Sequence, residues 1–282
     1  MKPYWRTCGY RLGNFGDELV PHILRRAMGI SHVEPASSFA DADIVSIGSI
    51  LSEIPHDFHG WVWGTGAMFY QAPVEVPRAR VRAVRGLLSA HRLGYKPPAL
   101  GDPGLLVDSI LVPMDGPRWE LSIVPHYADF NDEGLCRFLR RNPDVHVIDP
   151  CASVLTVLSE IKRSGAILSS SLHGLVCADA FGIPRQWVWL SDRLAGGDFK
   201  FRDYESVYGV VDPIPVMLPE GVPVSTLIAG CRAVDPQRVE AVRDGLVRAF
   251  PEELLDLDRA SADVPELEFS EPPIAPPGGF TR

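Results

Sequence analysis

Short apolar runs that end in small or polar residues, each followed by a stretch with helical spacing, recur along this chain. In the first part, residues 4–8, 44–47, 61–63 and 81–84 predict strands, and the apolar positions of 17–28 and 87–93 predict helices. The pattern restarts at 120–124 with a strand, then a helix over 132–141, a strand over 145–150, a helix over 154–162 and a strand over 165–168. Another apolar stretch of helical length follows, closed by Gly182 and Pro184, and then a strand over 186–190. Val239, Val242, Leu246 and Phe250 mark a packing helix over 237–250. Strands alternating with helices predict an α/β chain whose parallel sheets are covered by helices in both halves.

Turn-rich residues 112–117 separate the halves, giving domains over 1–112 and 119–258. From Ala260 onward the chain is rich in proline and acid, so 259–282 is expected to be a disordered or surface-draped tail. A length of 282 residues and a hydrophobic content of 46% suit two ordinary domains with real cores. The formal charge of -9 and the absence of a dense Lys/Arg run argue against nucleic acid as a partner. No apolar run approaches the roughly 20 residues of a membrane span, and the first residues lack a signal-peptide core, so a cytoplasmic protein is expected. Five scattered cysteines without C-x-x-C spacing read as reduced thiols, and no metal-ligand spacing occurs.

The chemistry-bearing stretch is Ser169-Ser170-Ser171-Leu172-His173-Gly174, a polar turn between a predicted strand and a predicted helix. Such a turn aims backbone N–H groups and hydroxyls at one spot before a helix N-terminus, where an anion is favoured, and it would hold His173 beside that anion. The same residues also suit serines that cap the helix over a packed histidine. His126 ends the 120–124 strand, so it and His173 would share the carboxyl edge of one sheet. Arg85 at a strand end could meet an anion with its planar fork or form a surface ion pair. Glycines at 9, 13 and 16 make the stretch before Asp17 a functional-loop candidate, with Asp17 either facing a site or capping the next helix. Lys200 lies in a glycine-hinged segment, 196–204, and could swing to the same pocket or stay solvated. Asp41-Ala42-Asp43 and His56-x-x-His59 read as solvated loops.

Eight motifs, taken in order, resemble the polysaccharide pyruvyl transferase family over roughly residues 5 to 210. They are Gly13-Asn14-Phe15-Gly16-Asp17-Glu18-Leu19, Gly48-Ser49-Ile50-Leu51, Trp63-Gly64-Thr65-Gly66, Arg82-Ala83-Val84-Arg85-Gly86, Leu100-Gly101-Asp102-Pro103, Val124-Pro125-His126-Tyr127, Ser170-Ser171-Leu172-His173-Gly174 and Phe199-Lys200-Phe201 with Asp203. The resemblance implies two Rossmann-like domains in a GT-B-like arrangement with an interdomain cleft. It also implies transfer of the enolpyruvyl group of phosphoenolpyruvate onto a sugar, forming a ketal and releasing phosphate with no further cofactor. His173 and Asp17 would then be catalytic. Arg85, Lys200, Ser170, Ser171, Gly174 and His126 would bind the donor, and Asn14, Trp63 and Tyr127 the acceptor. The family often has arginine immediately before the Leu-His pair; Ser171 stands there in this chain. The acceptor would be a saccharide of exopolysaccharide or cell-surface glycan synthesis, free or lipid-linked, the latter bringing peripheral contact with a membrane. A nucleotide-sugar glycosyltransferase and a non-catalytic glycan-binding protein of the same fold are the competing expectations.

Overall fold

The computed structural model describes residues 1–6, 14–71, 74–77, 80–111, 116–218 and 221–262. Five parallel strands form the first sheet: β1 (Pro3–Tyr4), β2 (Ile44–Val45), β3 (Trp61–Trp63), β4 (Val81–Val84) and β5 (Ala99–Leu100), in the order 1-2-3-4-5. The second sheet holds β6 (Ser122–Val124), β7 (His146–Val147), β8 (Ile167–Ser169), β9 (Arg185–Trp189) and β10 (Val216–Met217), in the order 10-9-8-6-7 and again parallel. The chain runs outward from β6 to β7, then returns to lay β8 on the other side of β6. Connections leaving β6 and β8 therefore diverge, which opens a crevice at their carboxyl ends.

The helices are α1 (Leu19–Arg26), α2 (Leu87–Leu93), α3 (Glu133–Arg141), α4 (Val154–Lys162), α5 (Leu172–Ala180), α6 (Phe199–Glu205), α7 (Val224–Gly230), α8 (Pro236–Ala249) and α9 (Glu252–Ala262). Their starts follow local chemistry. The Asp132 carboxylate accepts from the Gly134 and Leu135 N–H groups, the Ser153 hydroxyl from Thr156, and Asp235 from Gln237 with Pro236 at the first helical position. All nine residues of α5 are buried, so this helix carries no polar face. It packs between β8 and the 3-10 stretch Pro103–Ser109, which in turn rests on α1. One hydrophobic core thus continues from Phe15 and Leu19 through Leu105 to Leu172 and Val176.

Two parts of the architecture differ from the sequence expectation. Among the described residues no α-helix links β2 to β3 or β3 to β4; a 3-10 turn, Leu51–Glu53, and irregular chain take their place. Segment 196–204, expected as a hinged loop, contains helix α6. Gly196 and Gly197 do turn the chain, with φ of 77° and 56°, but the turn ends there and Phe199 already begins the helix. At Gly196 the close approach is specific, since a Cβ would lie 2.3 Å from the Met68 carbonyl oxygen.

Helix α8 returns to the first sheet and packs on β5 and β4. The Trp63 indole N–H donates to the Leu246 carbonyl at 2.9 Å, and the Phe250 ring meets it edge-on at 4.9 Å. Trp63 is therefore an interior residue rather than the acceptor surface expected of it, because a side chain of β3 points under α8. Asp41 and Asp43 pair with Lys2 at the surface, and His56 and His59 are exposed. Residues 9–13 of the glycine loop, Cys8, residues 112–115 of the linker and residues 263–282 of the tail lie outside the described residues.

Candidate active site

The carboxyl ends of β6 and β8 are held in register by hydroxyl groups and one buried acid. The Ser170 hydroxyl accepts from the His126 N–H at 2.9 Å and donates to Asp129 Oδ2 at 2.8 Å. Ser191, beyond β9, donates to the other oxygen, Oδ1, of the same carboxylate. Asp129 is fully buried, so this one side chain ties together the ends of three strands. Ser169 Oγ accepts from the Ser171 N–H at 3.0 Å, and a Cβ on Gly174 would come within 2.3 Å of that oxygen. Gly174 thus lets α5 lie close to β8. Ser171 occupies the N-cap position of α5, yet its hydroxyl makes no cap bond and lines an open hollow.

His173 sits on the first turn of α5, 6% exposed, with its ring clamped. The Phe15 ring lies edge-on at 6.5 Å between centroids. Gly16 presses on the Nδ1 side, where an added Cβ would be only 1.9 Å from that nitrogen. On the opposite side Nε2 lies 3.6 Å from Oδ2 of the buried Asp102. Replacing Gly16 by alanine is therefore expected to push the imidazole out of place. Displacements of about 1 Å can cost a hundredfold in rate, so kcat should fall at least tenfold while the melting temperature moves by only a few degrees. Steady-state kinetics beside thermal melts check this.

The hollow in front of His173 measures about 730 Å³, its open mouth included. From the first half of the chain it is lined by Arg6, Asn14, Asp17, Ser49 and Met68. The second half supplies His126, Tyr127, Ser171, His173 and Lys200. Asp17 precedes α1 without capping it; Asn14 Nδ2 donates to its carboxylate at 3.2 Å. Burial pushes the Asp17 carboxyl above its ordinary range, opposed by His173, the Asn14 bond, Lys200 and Arg6. Burial also pushes His126 down to about 3, helped by Lys200 and His173, so its imidazole is neutral at pH 7. Its Nδ1 accepts from the Ala128 N–H at 3.2 Å, which leaves the proton on Nε2 as a neutral donor. Lys200, on the first turn of α6, is held down to about 8 by burial and by Arg85, against the pull of Asp17 and Asp129. It makes no ion pair among the described residues.

Arg85 departs from expectation. Fully buried, it donates from Nε to Asp203 at 2.9 Å, from Nη1 to Ser49 at 2.8 Å and from Nη2 to the Ala67 carbonyl at 2.7 Å. It does not line the hollow, because α6 delivers a carboxylate that claims the guanidinium. Asp203 also accepts from the Ser89 N–H at 2.8 Å, capping α2 across space where its own N-cap, Gly86, has no side chain. A Cβ on Gly86 would fall 1.8 Å from the Asp203 carbonyl oxygen. Ser170, Gly174 and Trp63 likewise stand behind the site or away from it, while His173, Asp17, Lys200, Ser171, His126, Asn14 and Tyr127 converge. Ser49, Asp102 and Asp203 stand in the family motifs without an assigned role, and Asp129 stands in none of them. Gly48-Ser49 at a strand end, Asp102 before a proline and Asp203 shortly after Phe199-Lys200-Phe201 are visible signals, but nothing local marks Asp129.

Fold and hollow together define an α/β protein whose sheet edges present a helix N-terminus, a lysine, two histidines and a carboxylate to one space. The chain belongs to the polysaccharide pyruvyl transferase family, which it matches over residues 2–189. It is similar to "Succinoglycan biosynthesis protein ExoV" of Rhizobium meliloti (strain 1021), 31% identical over 245 residues, covering 82% of this chain and 72% of that protein. It is also similar to "Uncharacterized protein L143" of Acanthamoeba polyphaga mimivirus, 35% identical over 115 residues, covering 39% of this chain and 40% of that one. The protein is thus a polysaccharide pyruvyltransferase acting on a saccharide acceptor. No helix among the described residues is long and apolar enough to cross a membrane.

Proposed function

We propose that this enzyme moves the enolpyruvyl group of phosphoenolpyruvate onto a sugar of an exopolysaccharide or cell-surface glycan precursor, forming a pyruvate ketal and releasing phosphate. The observation that carries the reading is the convergence of Lys200, the Ser171 hydroxyl, the start of α5 and the neutral His126 donor beside His173 and Asp17. A phosphate and a carboxylate on one small molecule need several donors and a cation in a confined space. The name of the Rhizobium relative, a succinoglycan biosynthesis protein, supports the acceptor class. The two sheets act as Rossmann-like lobes of a GT-B-like pair, with the donor on the side of β6 and β8 and the acceptor, free or lipid-linked, against Asn14 and Tyr127. No cofactor besides the donor takes part, since no carbon or phosphorus ends in a changed oxidation state that an external redox partner must balance.

In this mechanism His173 gives a proton to the methylene carbon, which makes the neighbouring carbon oxocarbenium-like. One acceptor hydroxyl adds there and loses its proton to Asp17, whose raised pKa makes it a better base than an exposed aspartate. Phosphate leaves, and a second hydroxyl closes the ketal ring. The two hydroxyl protons balance the one spent by His173 and the one carried off with phosphate.

Incubation with phosphoenolpyruvate should raise the melting temperature, by the equivalent of about 2.7 kcal/mol at 100 times the dissociation constant, and a nucleotide sugar should not. Mass spectrometry of an oligosaccharide acceptor after incubation reads the product directly; phosphate release without pyruvylated sugar would defeat the proposal. The lysine sets a pH dependence. Lys200 is depressed from 10.5 to about 8, so it is charged at pH 7 and loses its charge as the pH rises through 8. Donor affinity is therefore expected to weaken above pH 8, and Lys200→Met should both flatten that limb and raise KM for the donor. A lost charge-assisted bond of about 1.5–3 kcal/mol corresponds to roughly tenfold to more than a hundredfold.

A further inference from the structure

We infer that Asp102 is the positioning residue of the active-site histidine: its carboxylate holds the His173 proton on Nε2 and leaves Nδ1 to face the substrate. Asp102 is 1% exposed and caps the 3-10 stretch Pro103–Ser109, its Oδ1 accepting from the Gly104 N–H at 2.9 Å. That cap uses one oxygen, a job that asparagine or serine performs as well. Among the described residues Oδ2 has no hydrogen-bond partner, and neither has His173 Nε2; both atoms are buried and lie 3.6 Å apart. Burying a carboxylate oxygen without a partner is costly, so a capping role alone does not account for the acid. The pairing of two otherwise orphaned polar atoms does.

The separation is slightly longer than a hydrogen bond, as is common for catalytic pairs before substrate binds. Both groups are braced. Asp102 is fixed by its cap and by Pro103, and His173 by Phe15 and by Gly16, whose hydrogen leaves just enough room beside Nδ1. The groups that face this pair are Asp17 from the loop before α1, His126 from the end of β6, and Cys177 one turn further along α5. Asp17 and His126 lie on the hollow side, whereas Asp102 stands on the buried side, so only Asp102 can define which nitrogen is kept from solvent. The inference rests on the proposed role of His173 as the proton donor: Nδ1–H gives its proton to the methylene carbon, and Nε2–H stays bonded to Asp102, which steadies the imidazolium that precedes the step.

Long-range nitrogen NMR of the ligand-free wild-type protein, with His173 assigned through a His173→Gln comparison, reads the tautomer without any turnover. The expected result is neutral His173 protonated on Nε2. The Nδ1–H tautomer would overturn the inference whatever the enzyme's donor proves to be. Asp102→Asn keeps an oxygen for the Gly104 cap but turns an amide toward Nε2. It is expected to move the proton to Nδ1 and reduce kcat at least a hundredfold, with KM for the donor within about threefold of wild type. A variant that folds, keeps the wild-type tautomer and turns over normally would assign Asp102 to the cap alone. Failure of phosphoenolpyruvate to serve as donor would be seen in the wild-type assay and would leave the NMR result standing.

Discussion

His173→Gln is expected to turn over at least a hundredfold more slowly than the wild type, with the affinity for phosphoenolpyruvate changed only a few-fold. The imidazole is held in place by Gly16, packed beside the ring, and by Asp102, which faces Nε2. Glutamine fills a similar volume but cannot carry a labile proton at pH 7, so the loss falls on the chemical step. General acid catalysis is worth roughly a hundredfold to ten-thousandfold, which sets the scale. Single-turnover kinetics separates the steps, and running the wild-type reaction in heavy water adds a second readout. Protonation of the methylene carbon puts deuterium into the methyl group of the ketal. A glutamine variant with near-normal kcat would take His173 out of the mechanism.

Breaking the Arg85–Asp203 pair should cost more stability than any other single ionic substitution among the described residues. Both side chains are fully buried at 2.9 Å, and removing one leaves the other as an uncompensated charge. Such changes cost about 3–5 kcal/mol, which for a chain of this size lowers the melting temperature by on the order of 10 °C. Asp203→Leu also strips the acceptor from the Ser89 N–H at the start of α2. The double variant Arg85→Met with Asp203→Leu should recover much of the loss, since well-packed apolar pairs often replace buried ions at little cost. Donor affinity is a separate reading. Asp203 lies on the same short helix as Lys200, so the single variants should raise KM for the donor through a displaced α6. Melts of the two single variants and the double variant decide the matter; equal stability of all three with the wild type would deny the pair its role.

Local signals carried a good part of the design. Helices over 87–93 and 154–162 match α2 and α4 residue for residue, because capping and apolar spacing there agree with the tertiary packing. Ser171 and His173 are legible as part of a strand-turn-helix device, and the order of motifs points to the family. Lys200 lies in a helix where the sequence suggests a hinged loop, since two glycines outweigh the helical spacing that begins immediately after them. Arg85 and Trp63 differ from the sequence expectation for a common reason. A cation at a strand end and an indole on a strand look alike from sequence whether they face ligand or interior.

The sequence by itself determined the alternation of strand and helix, the anion-ready turn before α5 and the presence of a histidine in it, since these depend on neighbours within a few residues. Only the tertiary structure decided which charges would be spent inside the protein. Asp203 arrives 118 positions after Arg85 and claims it, while Asp102 comes from another stretch of chain to stand behind His173. Burial makes an unpaired charge costly, so the fold commits Arg85 to a partner and leaves Lys200, with no such partner among the described residues, facing the hollow. Contacts so distant in the chain leave no periodic trace for a sequence to show.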